Sequence, residues 1–242
     1  LRAWLSDNGL DNIILSKREN FLWLTTGGDP VVVNTTEFGI ACILVTRDRH
    51  YLVSHSMDAS RLMEEQLPGQ GYEAVEIKWY EGNSVEHAVS ISRGKTAADA
   101  FIDGTENRSA EISRMHIPLY MIEIERLRWL GNALNEIYLE MADVLKQGMS
   151  EVEAAAEFLY QQSIRGISSD VLISGSDERI FQYRHPMPTE KKIERYVMLH
   201  SAARKWGLHA PITRTFHFGP PSRKVEDAFE AIAHIQAATL LN

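Results

Sequence analysis

Tyr183-Arg184-His185-Pro186-Met187-Pro188-Thr189, followed by Tyr196-Val197-Met198-Leu199-His200 and then Ile212-Thr213-Arg214-Thr215-Phe216, is the stretch whose reading decides the fold. The two later runs read as strands of an antiparallel hairpin, with Arg204-Lys205-Trp206-Gly207 as its turn. In that register His200 stands opposite Pro211, side chains about 5 Å apart, and His209 stands opposite Ala202. Two facing carboxylates could hold a pair of cations there. A histidine facing a proline does not, because proline has no side-chain donor and hard cations take oxygen ligands.

Outward from the hairpin, Asp170-Val171-Leu172-Ile173-Ser174 reads as a strand and Val225 to Leu241 as a closing helix. Upstream, Leu127, Leu130, Leu134, Ile137, Met141 and Leu145 step by three or four and form one apolar stripe, which Gly148 ends. Ser150 and Glu153 make a capping box, and Val152, Ala155, Ala156 and Leu159 read as the buried face of a second helix that Gly166 stops. Before the loop signal Asp103-Gly104-Thr105-Glu106-Asn107 the pattern changes. Strands over 12–15, 40–46, 51–53 and 74–77 alternate with helices over 57–67 and 84–92, which makes an α/β unit with a mixed sheet. Residues 1–115 are therefore assigned to an N-terminal α/β domain and 116–242 to a second, α+β domain.

The 242 residues suffice for two domains of ordinary size, and 44% hydrophobic with 24% charged residues is the composition of a soluble globular protein. Net charge is −8 and no basic run occurs, so nucleic acid is not expected as a partner, nor, without a long apolar run, is a membrane. A lone Cys42 excludes an intrachain disulfide and fits a reducing cytoplasm; within Ile40-Ala41-Cys42-Ile43-Leu44 it reads as a core thiol. The chain opens with Leu1 in what reads as the tail of an amphipathic helix, so the natural start is expected upstream.

Taken together, the element order and the two motifs resemble the family of methionine aminopeptidase, proline dipeptidase, Xaa-Pro aminopeptidase and creatinase. Gly9 to Leu15 with Arg18 to Thr25 resembles the start of that family's N-terminal domain, and Glu123 to Gly148 its first catalytic helix. His185-Pro186-Met187-Pro188-Thr189 is similar to its His-x-x-Pro-Thr, and Thr213-Arg214-Thr215-Phe216 to its Thr-Arg-Thr. The resemblance implies a creatinase-like N-terminal domain and a pita-bread catalytic domain, here ending after its first half. It also implies that His200 and Pro211 occupy the positions of two metal-binding aspartates. The family's other ligands, a histidine and two glutamates, would belong to the second half. No metal ligand is therefore assigned, and no cofactor is expected unless the conventional, two-metal peptidase reading holds.

Creatinase is the informative relative, since it keeps the motif histidine, lacks the metal aspartates and uses that histidine as acid/base. The resemblance thus implies His185 as the catalytic residue of a metal-independent hydrolase acting on a small peptide or C–N substrate. An imidazole titrates near neutral pH and can pass a proton between water and a leaving nitrogen. Tyr183, Arg184, His200 and His209 are the substrate-binding candidates, and a cytoplasmic homodimer is expected. Two alternatives stand beside this reading: a metal-dependent Xaa-Pro peptidase, and a non-catalytic binding protein that keeps the fold. A zinc site from His185, His200 and His209 is set against the commoner use of strand histidines in packing. Asp177-Glu178-Arg179 and Glu123-Ile124-Glu125 read as solvated charge runs, and Trp79-Tyr80 as packing residues.

Overall fold

In β1 (Asn12–Lys17), β2 (Phe38–Thr46) and β3 (His50–His55) apolar residues occupy successive positions, so both faces of these strands must be covered. Ile13, Leu15, Ile43, Val45 and Leu52 enter one core cluster with Leu5, Phe21 and Leu62. Their sequence neighbours Ile14, Cys42, Leu44 and Val53 enter a second with Ala88. In the computed structural model, which describes residues 1–241, these strands join β4 (Glu73–Ile77), β5 (Thr96–Ala98) and β6 (Glu106–Asn107). The resulting six-stranded sheet has the order β4-β3-β2-β1-β5-β6, antiparallel at β1–β2 and β2–β3 and parallel elsewhere. Its helices are α1 (Arg2–Asp7), α2 (Arg18–Leu24), α3 (Ser56–Arg61) with a π-turn continuation over Leu62–Gln66, α4 (Ser84–Ile91) and α5 (Ser109–Met115).

The chain divides into two units, Leu1–Arg126 with Trp206–Leu208, and Leu127–Lys205 with the residues from His209 onward. The second contains most of α6 (Met121–Val144), then α7 (Glu151–Ser163), β7 (Ser168–Ser176), α8 (Glu178–Gln182), β8 (Tyr196–Lys205), β9 (Leu208–His217) and α9 (Arg223–Leu241). The apolar stripe of α6 packs with Ala154 and Phe158 of α7 against Val197, Leu199 and Ala203 of β8. Ser150 caps α7 reciprocally with Glu153, as the sequence indicates. The buried face of α7 is Glu151, Ala154, Ala155, Phe158 and Gln162, one register away from the expected one, and Val152 is exposed. The apolar pattern misleads here because two positions on the true inner face are polar.

β7, β8 and β9 form a three-stranded sheet in that order. The β8–β9 turn is two residues, not four: Trp206 (φ 56) and Gly207 (φ 79) are both left-handed, the geometry of a type I′ hairpin. The bond from Phe218 N to Arg195 O (2.9 Å) and the contact of His200 Nδ1 with Thr213 Oγ1 (2.9 Å) both fit the register that a two-residue turn sets. His200 therefore faces Thr213 and His209 faces Arg204. The expected pairings with Pro211 and Ala202 are displaced by two residues; Pro211 is diagonal to His200 on the same face, about 7–8 Å away by strand geometry. An even slip changes the partner but preserves the face. Among the described residues, no helix is long and apolar enough to cross a membrane.

Candidate active site

With Val197, Leu199 and Ala203 of β8 turned toward α6 and α7, the period of two places Met198, His200, Ala202 and Arg204 on the opposite face. Ile173 of β7 pairs with His200 and Gly175 with Met198, which extends this face across the sheet. His200 Nδ1 lies 2.9 Å from Thr213 Oγ1. Burial, and secondly repulsion from His185, lowers the His200 pKa below its ordinary value, which favours the neutral ring. Pro186, next to His185, packs on Gly175, whose strand partner Met198 lies two residues from His200 on the same face, so the loop carries His185 to the side of the sheet that bears His200. His185 lies in the connection between α8 and β8, and His200 in the middle of β8.

Two constraints hold the loop there. Pro186 is buried against Gly175, where a Cβ would come within 2.4 Å of its Cγ. Thr189 is held by Glu151, a fully buried carboxylate at the start of α7. Glu151 Oε1 accepts from Ser176 N (2.7 Å) and Ser176 Oγ (2.9 Å); Oε2 accepts from Thr189 N (3.0 Å), Thr189 Oγ1 (2.7 Å) and the Arg179 guanidinium. Arg179 also donates to Met187 O (2.9 Å) and lies 5.6 Å from the Tyr183 ring centre, so it touches both ends of the loop.

The solvated reading of Asp177-Glu178-Arg179 is thus corrected for two of its three members. Asp177 accepts from the backbone N–H groups of Glu194 (2.9 Å), Arg195 (2.8 Å) and Tyr196 (2.9 Å). Burial pushes its pKa up, but these three donors and Lys191 outweigh that and hold it below its ordinary value. Asp177 sits at φ 51, ψ −123, a conformation costly for a non-glycine residue, which its three hydrogen bonds retain. Only a tertiary partner makes this charge run internal, so the sequence carried no local signal for it.

Of the remaining candidates, Tyr183 and Arg184 are exposed on the loop. His209 Nε2 lies 2.9 Å from Asp170 Oδ2, and Arg204 Nε donates to Asp170 Oδ1 (3.1 Å), so His209 is engaged by a partner that the sequence reading did not name. Asp170 lies at the irregularity between Ser169 and Leu172, a bulge invisible to a period-two pattern. Trp79 and Tyr80, expected to pack, are 69% and 62% exposed. Cys42 is buried as expected, and burial pushes its thiol up to about 12.

The donors do not suit a pair of hard cations. Among the described residues no three His, Cys, Asp or Glu side chains group closely enough to hold a metal, and the diagonal positions 200 and 211 carry an imidazole and a pyrrolidine ring.

Residues 125–241 match the family model of metallopeptidase family M24. Among solved structures, an Xaa-Pro dipeptidase from Bacillus anthracis superimposes with a TM-score of 0.73 at 18% identity, covering 98% of this chain and 68% of its own. An X-Pro aminopeptidase from Thermotoga maritima gives 0.74 at 19%, covering 97% and 68%. A prolidase from Pyrococcus horikoshii gives 0.74 at 17%, covering 98% and 69%. At these identities the likeness is one of fold, and it bears out the two-part α/β and pita-bread-type architecture. No curated protein matches the sequence.

Proposed function

From a segment, residues 125–241, that belongs to metallopeptidase family M24, we propose a hydrolase of that type which cleaves a small peptide or other C–N substrate using His185 as acid/base. The observation that supports this is the held loop: Pro186 packed on Gly175 carries His185 to the sheet face that bears His200, and position 211 on that face offers no ligand. In the proposed step a water oxygen bonds to the substrate carbonyl carbon and its proton passes to the His185 imidazole. The same proton goes to the leaving nitrogen as the C–N bond breaks, which restores the neutral ring. His200, its Nδ1 engaged by Thr213, and Arg184 line the approach and bind substrate, with Tyr183 and His209 at its margins.

The reading includes a homodimer in the cytoplasm. Support for association is α9, which has no buried residue and exposes Phe229, Ile232 and Ile235. The second reading, a metal-dependent Xaa-Pro peptidase, is favoured by the family's own description as metallopeptidases. The test of the first is turnover of Xaa-Pro dipeptides and small amidines or ureas by the wild type and by His185→Ala. Hydrolysis lost in the variant supports it; hydrolysis equal in both removes it, and binding without turnover in the wild type makes the protein a non-catalytic receptor.

A further inference from the structure

Glu151 is the most completely enclosed charge of the second unit. Its side chain is 0% exposed, and both oxygens are saturated by five donors from three segments: Ser176 at the end of β7, Arg179 in α8 and Thr189 in the loop. A buried carboxylate without partners would cost several kcal/mol, so these segments are obliged to converge on it. The backbone around it closes the same knot: Val152 N donates to Thr189 O (3.1 Å) and Glu151 N to Lys191 O (3.0 Å). Arg179, fixed by this ion pair, reaches Met187 O and the Tyr183 ring. Beside Pro186 against Gly175 and the backbone bonds from Val152 N to Thr189 O and from Tyr183 N to Arg179 O (3.0 Å), the loop from 183 to 189 is held through this carboxylate and the Arg179 that it fixes.

We propose that Glu151 is a positioning residue for His185: through Arg179 and Thr189 it sets where the loop places that imidazole relative to His200. The proposal rests on the reading of His185 as the group that does chemistry, but its structural half stands apart from it. The negative charge, and not only the shape, is required. In Glu151→Gln one acceptor becomes an –NH2 donor, which must face either the Ser176 donors or the Thr189 and Arg179 donors. A donor against donors cannot hold, and the segment on that side is released.

The experiment is Glu151→Gln compared with wild type and with His185→Asn, following the His200 ring by NMR titration and measuring kcat and KM on any substrate the wild type hydrolyses. The expected result is a folded protein whose His200 titrates higher than in wild type, toward the value in His185→Asn, because the repelling imidazole has moved away. With turnover available, kcat falls on the order of 100-fold, as for a misplacement of about 1 Å, with KM changed much less. A variant that is less stable yet keeps the wild-type His200 titration overturns the proposal, since a structural role alone would not move that signal. Should Glu151→Gln not fold, Thr189→Val at an exposed position carries the same readout with a smaller displacement; an unmoved His200 there overturns it equally. Absence of hydrolysis in the wild type would remove the catalytic reading alone, and the titration would still decide the positioning.

Discussion

Gly175→Ala tests the placement of the His185 loop with one added carbon. The new Cβ would stand 2.4 Å from Pro186 Cγ and 2.6 Å from Pro186 Cβ. Ordinary carbon contact begins near 3.5 Å, so roughly 1 Å of separation must be found. The pyrrolidine ring has no rotamer with which to turn aside, and Pro186 is buried, so the displacement passes to the backbone that carries His185. Overpacking of this kind costs about 1–3 kcal/mol. Replacing glycine by alanine returns about 0.4–1 kcal/mol through the unfolded chain, so the net effect is destabilising. At about 4 °C per kcal/mol for a unit of this size, a net loss near 1–2 kcal/mol lowers the thermal midpoint by about 4–8 °C. The assay is thermal unfolding followed by circular dichroism, joined to titration of His200 by NMR. The pKa of His200 should rise as His185 moves off. A midpoint equal to or above wild type, with His200 titrating as before, would refute the packing argument.

Other outcomes follow from single groups. Asp177 has a folded pKa held below that of the unfolded chain, so its contribution is present above about pH 4 and is lost as pH falls through the folded value. Asp177→Asn should be less stable than wild type at pH 7 by about 2 kcal/mol, and the urea midpoints should converge as pH falls below the ordinary carboxylate range; a difference constant with pH would contradict this. Tyr138 donates toward Ile212 O (2.6 Å) and Leu199 O (3.3 Å), so Tyr138→Phe should cost about 1–2 kcal/mol in urea unfolding. Cys42, buried and pushed up to about 12, should react with a thiol reagent only after denaturant is added. Rapid labelling of the native protein would contradict its burial.

Much of the fold was legible because its determinants are local or periodic. Strands β1 to β4 announce themselves by short β-rich runs, α6 by its stripe, and α7 by the reciprocal Ser150–Glu153 cap. α2 was not, since its seven residues are held by burial of Phe21 and Leu22 and by the Arg18–Asp29 ion pair (2.6 Å), not by propensity. β5 and β6, three and two residues long, fall below the length at which alternation can be read. At the candidate site, the sequence motif around His185 indicated which residue to watch but not what holds it. Glu151 was hidden as an ordinary acidic residue at a helix start, and Arg179 as a surface charge; only tertiary contacts give them their roles. The hairpin register missed by two because a Trp-Gly pair formed the two-residue turn, with tryptophan taking a positive φ that its side chain does not advertise.

On this sheet face the metal-aspartate positions implied by the resemblance hold His200 and Pro211, with no paired carboxylates. The most direct test of the metal-independent reading is hydrolysis by protein stripped with a strong chelator, assayed before and after addition of manganese, cobalt or zinc. The expected result is a rate unchanged by stripping and by each metal, and abolished in His185→Ala. A rate that vanishes on stripping and returns with a divalent ion would contradict it.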